Sequence, residues 1–188
     1  TVLGQDDLLD ATVPDDAQLR TALEGATRFG VKGASAVGGT LLFFALATLV
    51  AGTLDILFAM GLTVFYGREV GNMLRYVGSG PFPQATEMGA SGAILGLTVH
   101  FALMATMAAV YVLAAGRIRA LIEKPIQWGV LYGLATYVVM NWLVVPMRFG
   151  TPLPPSPLAM ATQLFAHIIL VGIPIALIAA RYLTPRTA

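Results

Sequence analysis

Four long stretches of the chain are almost purely apolar, and short groups of charged and turn-forming residues separate them. A helix needs about 20 apolar residues to cross the roughly 30 Å hydrocarbon core of a bilayer, and each stretch is at least that long. A membrane β-barrel would instead show alternating segments of about ten residues, so the unbroken runs favour helices. The pattern therefore predicts four membrane spans, at about residues 40–66, 89–115, 125–146 and 158–183.

Breaks in this pattern set the predicted ends of the spans. Gly67 and Arg68 follow the first stretch, and Gly116 and Arg117 follow the second. Pro146 closes the third, because proline removes a helical hydrogen bond. The predicted fold class is all-α and integral to the membrane: a four-transmembrane-helix bundle with an N-terminal amphipathic segment.

The N-terminal part of the chain has a different character from the rest. Six of the ten acidic residues lie within the first 24 positions. We expect residues 1–36 to form an acidic cytoplasmic segment and residues 37–188 to form the transmembrane domain. Within the first segment, residues 15–29 carry apolar side chains at helical spacing after two aspartates, which predicts a short amphipathic helix. The apolar positions of this helix are Leu19, Ala22, Leu23, Ala26 and Phe29.

The loops between the spans predict the orientation of the bundle. Eight lysine and arginine residues lie on the side of the two termini, and three lie on the opposite side: Arg68, Arg75 and Arg148. The positive-inside rule therefore places both termini in the cytoplasm. On the opposite side, residues 69–78 are expected to form a short interfacial helix.

Composition excludes several classes of function. Hydrophobic residues make up 57% of the chain and charged residues 11%, with a mean hydropathy of +0.78, whereas about one-quarter of a soluble domain is charged. The net charge of +1 provides no basic surface for nucleic acid. The absence of cysteine excludes disulfides and thiolate metal sites. The loops contain no serine, histidine and acid set and no phosphate-binding glycine loop, so no catalytic residues are predicted and a non-enzymatic role is favoured.

Each predicted span contains one strongly polar side chain: Asp55, His100, Asn141 and His167. A central aspartate costs about 3 kcal/mol on insertion scales, so such residues require an explanation. Counted from the outer ends of the spans, Asp55 and the two histidines lie at a depth of about 13 to 17 Å, with Asn141 one to two turns above them. We expect the four residues to form one polar layer, in which Asp55 is within reach of both histidines.

Four interpretations of this layer stay open. In the first, the four residues only satisfy one another and fix the packing of the helices, since hydrogen bonds between membrane helices contribute about 1 kcal/mol each. In the second, His100 and His167 ligate a b-type haem, and Gly92 and Gly96 make room for the porphyrin. Diagonal helices of a four-helix bundle lie only about 13 Å apart, so the bundle would have to open to hold an iron atom between two imidazoles.

The remaining two interpretations use the carboxylate. Asp55, His100 and His167 supply two imidazoles and one carboxylate, a ligand set suited to a single Zn²⁺ or Fe²⁺ ion. The same residues are also the usual parts of a proton or ion relay. The glycine pairs Gly92/Gly96 and Gly129/Gly133 are expected to serve ordinary helix packing rather than dimerisation.

Several short motifs resemble those of a known group of proteins. They are residues 52–56 (GTLDI), His100-Phe101, residues 131–133 (LYG) with Met140-Asn141, Val145-Pro146, and His167 followed by residues 171–177 (VGIPIAL). Together they resemble small four-span bacterial inner-membrane proteins of unknown function, over about residues 44–181. The resemblance implies a multi-pass protein of the bacterial inner membrane and supports the set of Asp, His, Asn and His, but it implies no reaction.

Small size and little mass outside the membrane favour an accessory or stabilising subunit of a larger membrane complex, of a respiratory or photosynthetic kind. The expected partners are the lipid bilayer and other membrane subunits, not nucleic acid. The alternatives are a redox protein that binds haem b or one divalent metal through His100 and His167, and a relay through Asp55 and the histidines.

Overall fold

The computed structural model describes residues 16–183, apart from the side chains at 28–37 and 39. These residues form helices and loops, with no strand among them. The helices are α1 (Asp16–Phe65), α2 (Val70–Gly78), a 3-10 turn (Pro83–Glu87), α3 (Gly89–Ala115), the short α4 (Ala120–Glu123), α5 (Pro125–Phe149) and α6 (Pro157–Leu183).

Four of these helical segments are long and apolar enough to cross a membrane: Thr40–Phe65, Gly89–Ala115, Pro125–Phe149 and Pro157–Leu183. They are the first to fourth spans, and the predicted four-helix membrane fold is confirmed. The ends at Phe65, Gly89, Phe149 and Pro157 belong to one face of the bundle, which we call the outer face. Whether this face points away from the cytoplasm, as the charge distribution predicts, stays a prediction.

The chain divides into two compact units after Gly39. In the first unit the predicted amphipathic helix is helical from Asp16 onward. Its apolar side chains Leu19 and Leu23 are 44% and 65% exposed, so the described part of its apolar face is not covered. The side chain of Phe29, which we expected on the same face, lies outside the described residues.

The core of the second unit is built from small and apolar side chains on the facing sides of the spans. Phe43, Ala47 and Ala51 repeat every four residues along the first span, which places them on one helix face, and all are fully buried. Tyr111 of the second span is fully buried, and its hydroxyl donates to Leu121 O at 3.0 Å. Small side chains let membrane helices approach closely, and the buried hydroxyl has the partner that it needs.

Side-chain contacts give the order of the spans around the bundle. The rings of Phe58 and Phe165 lie 5.2 Å apart and join the first span to the fourth. Tyr132 of the third span donates to Met107 O of the second at 2.6 Å. The inner part of the fourth span, Ile173–Leu183, also contacts the second span. These two spans lie diagonally opposite each other in the bundle, and they meet at this end.

The third and fourth spans each contain a π-helical segment, Val139–Val144 and Ala166–Gly172. Pro146 and Pro174 both lie two residues beyond the end of these segments. Pro146 was predicted to end the third span, but the helix continues to Phe149. A proline inside a continuous helix removes one backbone hydrogen bond, and irregular turns of a helix are found at prolines and at π-helical segments.

Residues 68–88, which we call the re-entrant segment, pack against the outer half of the second span. A Cβ atom at Gly96 would overlap the carbonyl oxygen of Leu74, and one at Gly78 would lie 3.0 Å from Gly96 N. Gly96 is seven residues from Gly89, or about 10 Å below the outer end of the span at 1.5 Å per residue. The predicted short helix therefore forms as α2 and packs beside the outer half of the second span, and the chain returns through the 3-10 turn; its position relative to the membrane interface stays a prediction.

Candidate functional site

The first two spans are joined by His100. Its Nε2 atom lies 2.8 Å from Gly52 O, and because a carbonyl oxygen only accepts, Nε2 carries the hydrogen. Its Nδ1 atom lies 3.9 Å from Asp55 Oδ2, within ion-pair distance but longer than a hydrogen bond. His100 is 6% exposed, whereas the side chain of Asp55 is 20% exposed, so the imidazole is buried and the carboxyl group is only partly so.

Gly52 is the residue that permits this geometry. A Cβ atom there would lie 2.7 Å from Phe101 Cε1 and 3.3 Å from Met104 Cγ. The absence of a side chain therefore lets the second span approach until His100 reaches the backbone of the first. Asp55 is three residues from Gly52 and shares its helix face.

The last two spans are joined by a second polar pair. Asn141 Nδ2 lies 3.3 Å from His167 Nε2, and the same amide nitrogen donates to Tyr137 O at 3.3 Å. Since the amide nitrogen is a donor, Nε2 of His167 accepts and the neutral ring carries its hydrogen on Nδ1. That Nδ1 atom is buried without a hydrogen-bond partner in the described part of the chain.

Both members of this second pair lie on π-helical segments, Asn141 within Val139–Val144 and His167 within Ala166–Gly172. The two helices touch at Gly133, where a Cβ atom would lie 2.5 Å from Ile168 Cα. Tyr137 lies beside the pair, with its ring centroid 6.2 Å from that of His167, and its hydroxyl accepts from Trp142 Nε1 at 3.2 Å. π-Helical segments occur often at functional sites, which makes this pair a candidate site.

The structure thus gives two pairs where the sequence predicted one layer. Asp55 contacts His100, and in residues 16–183 no ion-pair contact joins it to His167. No group of three histidine, aspartate or glutamate side chains in these residues is arranged to hold a metal ion. The three-ligand metal site of Asp55, His100 and His167 stays a prediction, and it would require the two pairs to move together.

A haem held by His100 and His167 would also require a rearrangement of the bundle. Gly92 and Gly96 do not border open space, because Cβ atoms there would overlap the carbonyl oxygens of Ala85 and Leu74. These glycines accommodate the re-entrant segment rather than a porphyrin. The Nε2 atoms of His100 and His167 are also both in contact with protein atoms. A bis-histidine haem therefore stays a prediction that needs both contacts broken and the bundle opened.

Helix packing explains the glycine pairs. Gly129 and Gly133 face the fourth span, where a Cβ atom at Gly129 would lie 2.8 Å from Ile173 Cα. Gly92 and Gly96 face the re-entrant segment. The prediction that both pairs serve packing within the chain is confirmed.

Sequence reasoning missed the contacts made by Arg148. Its Nε atom donates to Gly80 O at 2.5 Å and its Nη2 atom to Ser79 O at 2.7 Å. Next to it, the rings of Tyr76 and Phe149 stack with centroids 4.3 Å apart. Burial raises the pKa of the Tyr76 phenol, although Arg148 acts to lower it. In the sequence Arg148 indicated only the end of a span, because nothing local shows which carbonyl groups it reaches.

The resemblance to small four-span inner-membrane proteins rests on short motifs around these pairs. Comparison of the whole chain with protein-family models, with curated proteins and with solved structures finds no match in any of the three.

Proposed function

We propose that the chain is an accessory or stabilising transmembrane subunit of a larger complex in a bacterial inner membrane, with both termini in the cytoplasm. The observation that carries this proposal is the pairing of the intramembrane polar residues. Asp55 with His100, and Asn141 with His167, each join neighbouring helices. Such contacts fix the rotation and register of membrane helices, which is the property of a scaffold.

The surface of the bundle also suits a docked subunit. Only 17% of the most apolar part of the third span is buried within the chain. Beyond the membrane, Leu19 and Leu23 present an uncovered apolar face. The described loops after Ala115 and Phe149 are short, so the surface available to partners lies largely in the spans and in the N-terminal helix. A complex of the respiratory or photosynthetic kind is the class that we propose.

The experiment uses the full chain, tagged at a terminus and expressed in its own host. Native electrophoresis of membranes in mild detergent should place it in an assembly of defined size and fixed stoichiometry. Deletion of its gene should lower the amount or activity of that same assembly. A chain that migrates alone, together with a deletion that leaves every membrane complex unchanged, would contradict the proposal.

The tagged chain, purified from the same membranes, tests the cofactor alternatives. A reducible Soret band would support ligation by His100 and His167, and stoichiometric zinc or iron would support the site that includes Asp55. Either result would show that the accessory role is an incomplete account of the protein.

One further observation favours a proton or ion relay as a second candidate function. His167 Nδ1 has no partner, and Asp55 and His100 are separated by 3.9 Å, more than a hydrogen bond. A small rotation of the Asp55 side chain would bring its carboxyl group within hydrogen-bond distance of His100, and the N–H group of His167 has no acceptor to hold its proton in the described part of the chain. Proteoliposomes loaded with a pH-sensitive dye would show proton flux in the wild-type chain and none in Asp55→Asn. Equal flux in both would exclude this role for Asp55.

A further inference from the structure

A cavity of about 710 Å³ opens at the outer end of the first span, beside the first two turns of α2. Its volume lies within the range of about 300 to 1,000 Å³ that is typical of small-molecule sites. The cavity is lined by Gly67 of the turn after the first span, by Met73, and by five residues with polar side chains: Thr63, Arg68, Glu69, Asn72 and Tyr76. The cavity is separate from both polar pairs inside the bundle.

The turn at Gly67 holds the charged residues of the cavity in place. Gly67 has a φ of +66°, Gly67 N donates to Val64 O at 2.9 Å, and Arg68 N donates to Thr63 O at 2.9 Å. These two bonds form a Schellman motif, which ends a helix and requires the left-handed conformation that glycine adopts readily. Arg68 and Glu69 therefore follow a fixed reversal of the chain.

The two charged side chains of the cavity differ in their hydrogen bonds and ion pairs: Glu69 has partners within the chain, and Arg68 has none among the described residues. Glu69 Oε2 accepts from Asn72 Nδ2 at 3.0 Å, and Glu69 Oε1 lies 3.9 Å from Arg75 Nη2. In the described part of the chain, the guanidinium group of Arg68 has no hydrogen bond or ion pair. The cavity thus offers a free cation next to a carboxylate that is held in position.

The remaining lining gives the cavity a second, less polar character. Met73 contributes an apolar wall, and the Tyr76 ring is fixed by its stack on Phe149. Immediately beside the cavity, Val64 and Phe65 are 64% and 80% exposed at the end of the first span. Polar groups above an exposed apolar helix surface are the arrangement of a membrane interface.

We propose that this cavity binds the headgroup of a phospholipid that carries both a phosphate and a primary ammonium group. Arg68 donates to the phosphate oxygens, a contact that suits the planar guanidinium group. Glu69 accepts hydrogen bonds from the ammonium group, and the acyl chains lie along Val64 and Phe65. A phosphatidylethanolamine headgroup matches both charges, whereas phosphatidylglycerol lacks the cation that Glu69 would bind. The site is independent of the accessory role.

Native mass spectrometry of the full chain, released from detergent with defined lipids, tests this proposal. The wild type should retain one phosphatidylethanolamine more tightly than phosphatidylglycerol. Arg68→Gln should weaken that binding about tenfold, the loss expected for one charge-assisted hydrogen bond of about 1.4 kcal/mol. Glu69→Gln should abolish the preference between the two lipids, because its amide oxygen can still accept from Asn72 but the charge is gone.

Arg117→Gln is the matched control, since Arg117 is an exposed arginine of the loop on the opposite face. It should leave lipid binding unchanged, and thermal unfolding should show that all three variants remain folded. Soluble phosphoethanolamine and inorganic phosphate distinguish a free ligand from a lipid, because the proposal expects neither to displace the bound phospholipid. Equal binding by wild type and Arg68→Gln, equal weakening by Arg117→Gln, or displacement by the soluble compounds would overturn it.

Discussion

Nε2 of His100 donates to the backbone carbonyl of Gly52 across 2.8 Å, so a side chain of the second span is bonded to the main chain of the first. The opposite edge of the same ring faces Asp55 Oδ2 at 3.9 Å. One imidazole thus contacts a backbone acceptor and a carboxyl group on the same helix face. Removal of the imidazole should therefore abolish both the hydrogen bond to Gly52 and the contact with Asp55.

His100→Ala is expected to lower the free energy of unfolding by about 1 to 2 kcal/mol, because hydrogen bonds between membrane helices contribute about 0.6 to 1.7 kcal/mol and Asp55 also loses its partner. Steric trapping or unfolding in mixed micelles measures this quantity. Thr98→Ala is the control, since Thr98 is exposed on the same helix and, among the described residues, its hydroxyl bonds only to Ile94 O of its own turn, at 3.0 Å. Equal destabilisation by the two variants would show that the contact with Gly52 contributes nothing.

The separation of the polar residues into two pairs makes a second prediction. A double-mutant cycle of Asn141→Ala and His167→Ala should give a coupling energy of about 0.6 kcal/mol, the average found for such contacts in membranes. A cycle of Asp55→Asn and His167→Ala should give a coupling near zero, because no hydrogen bond or ion pair joins these two side chains within residues 16–183. Strong coupling in the second cycle would restore the single layer that the sequence suggested.

The spans could be predicted from the sequence because membrane crossing depends on the length and composition of apolar runs. The closeness of Asp55 and His100 was also predicted, but the separation of the four polar residues into two pairs was not, because it depends on helix rotation. A π-helical segment contains one extra residue in a turn and rotates every side chain beyond it. Counting residues placed Asn141 one to two turns above His167 within one polar layer, and in the structure the two side chains are in contact at 3.3 Å.

The re-entrant segment was predicted in part. Residues 69–78 were expected to form a short helix on the outer side, and they form α2, but the surface on which this helix packs was not predicted. The depth of α2 is set by Gly78 and Gly96, whose missing side chains let two backbones meet. A glycine pair indicates that something packs closely there, but it does not indicate which segment does so.

Gly96→Ala and Gly133→Ala should be among the most destabilising single substitutions in the spans. A methyl group at either position would overlap a backbone carbonyl oxygen, of Leu74 or of His167, and backbone cannot move aside as a side chain can. Overpacking of this kind costs about 1 to 3 kcal/mol and sometimes more. Gly61→Ala is the control, because in the described part of the chain no atom beyond the neighbouring helix backbone lies within 4 Å of its Cβ position. It should be neutral or slightly stabilising, since alanine is the better helix former by about 1 kcal/mol.

Arg148 should control the dynamics of the re-entrant segment. Its guanidinium group binds the carbonyl oxygens of Ser79 and Gly80, the free acceptors just beyond the C-terminus of α2. Arg148→Gln loses at least one of these charge-assisted bonds. Hydrogen exchange of the amides in residues 74–80 should then accelerate about tenfold, which corresponds to a loss of about 1.4 kcal/mol in local opening free energy.

Two further variants separate the causes of this effect. Arg119→Gln breaks only an exposed pair with Glu123, at 3.8 Å on the opposite face, and such surface pairs are worth about 0 to 1 kcal/mol. Exchange in residues 74–80 should not change in this variant. Arg148→Lys keeps the positive charge near the C-terminus of α2 but lacks the planar fork that reaches two carbonyl groups at once. If the bonds to Ser79 and Gly80 hold the segment, the lysine variant should exchange at a rate between those of wild type and Arg148→Gln. If charge alone holds it, the lysine variant should match the wild type.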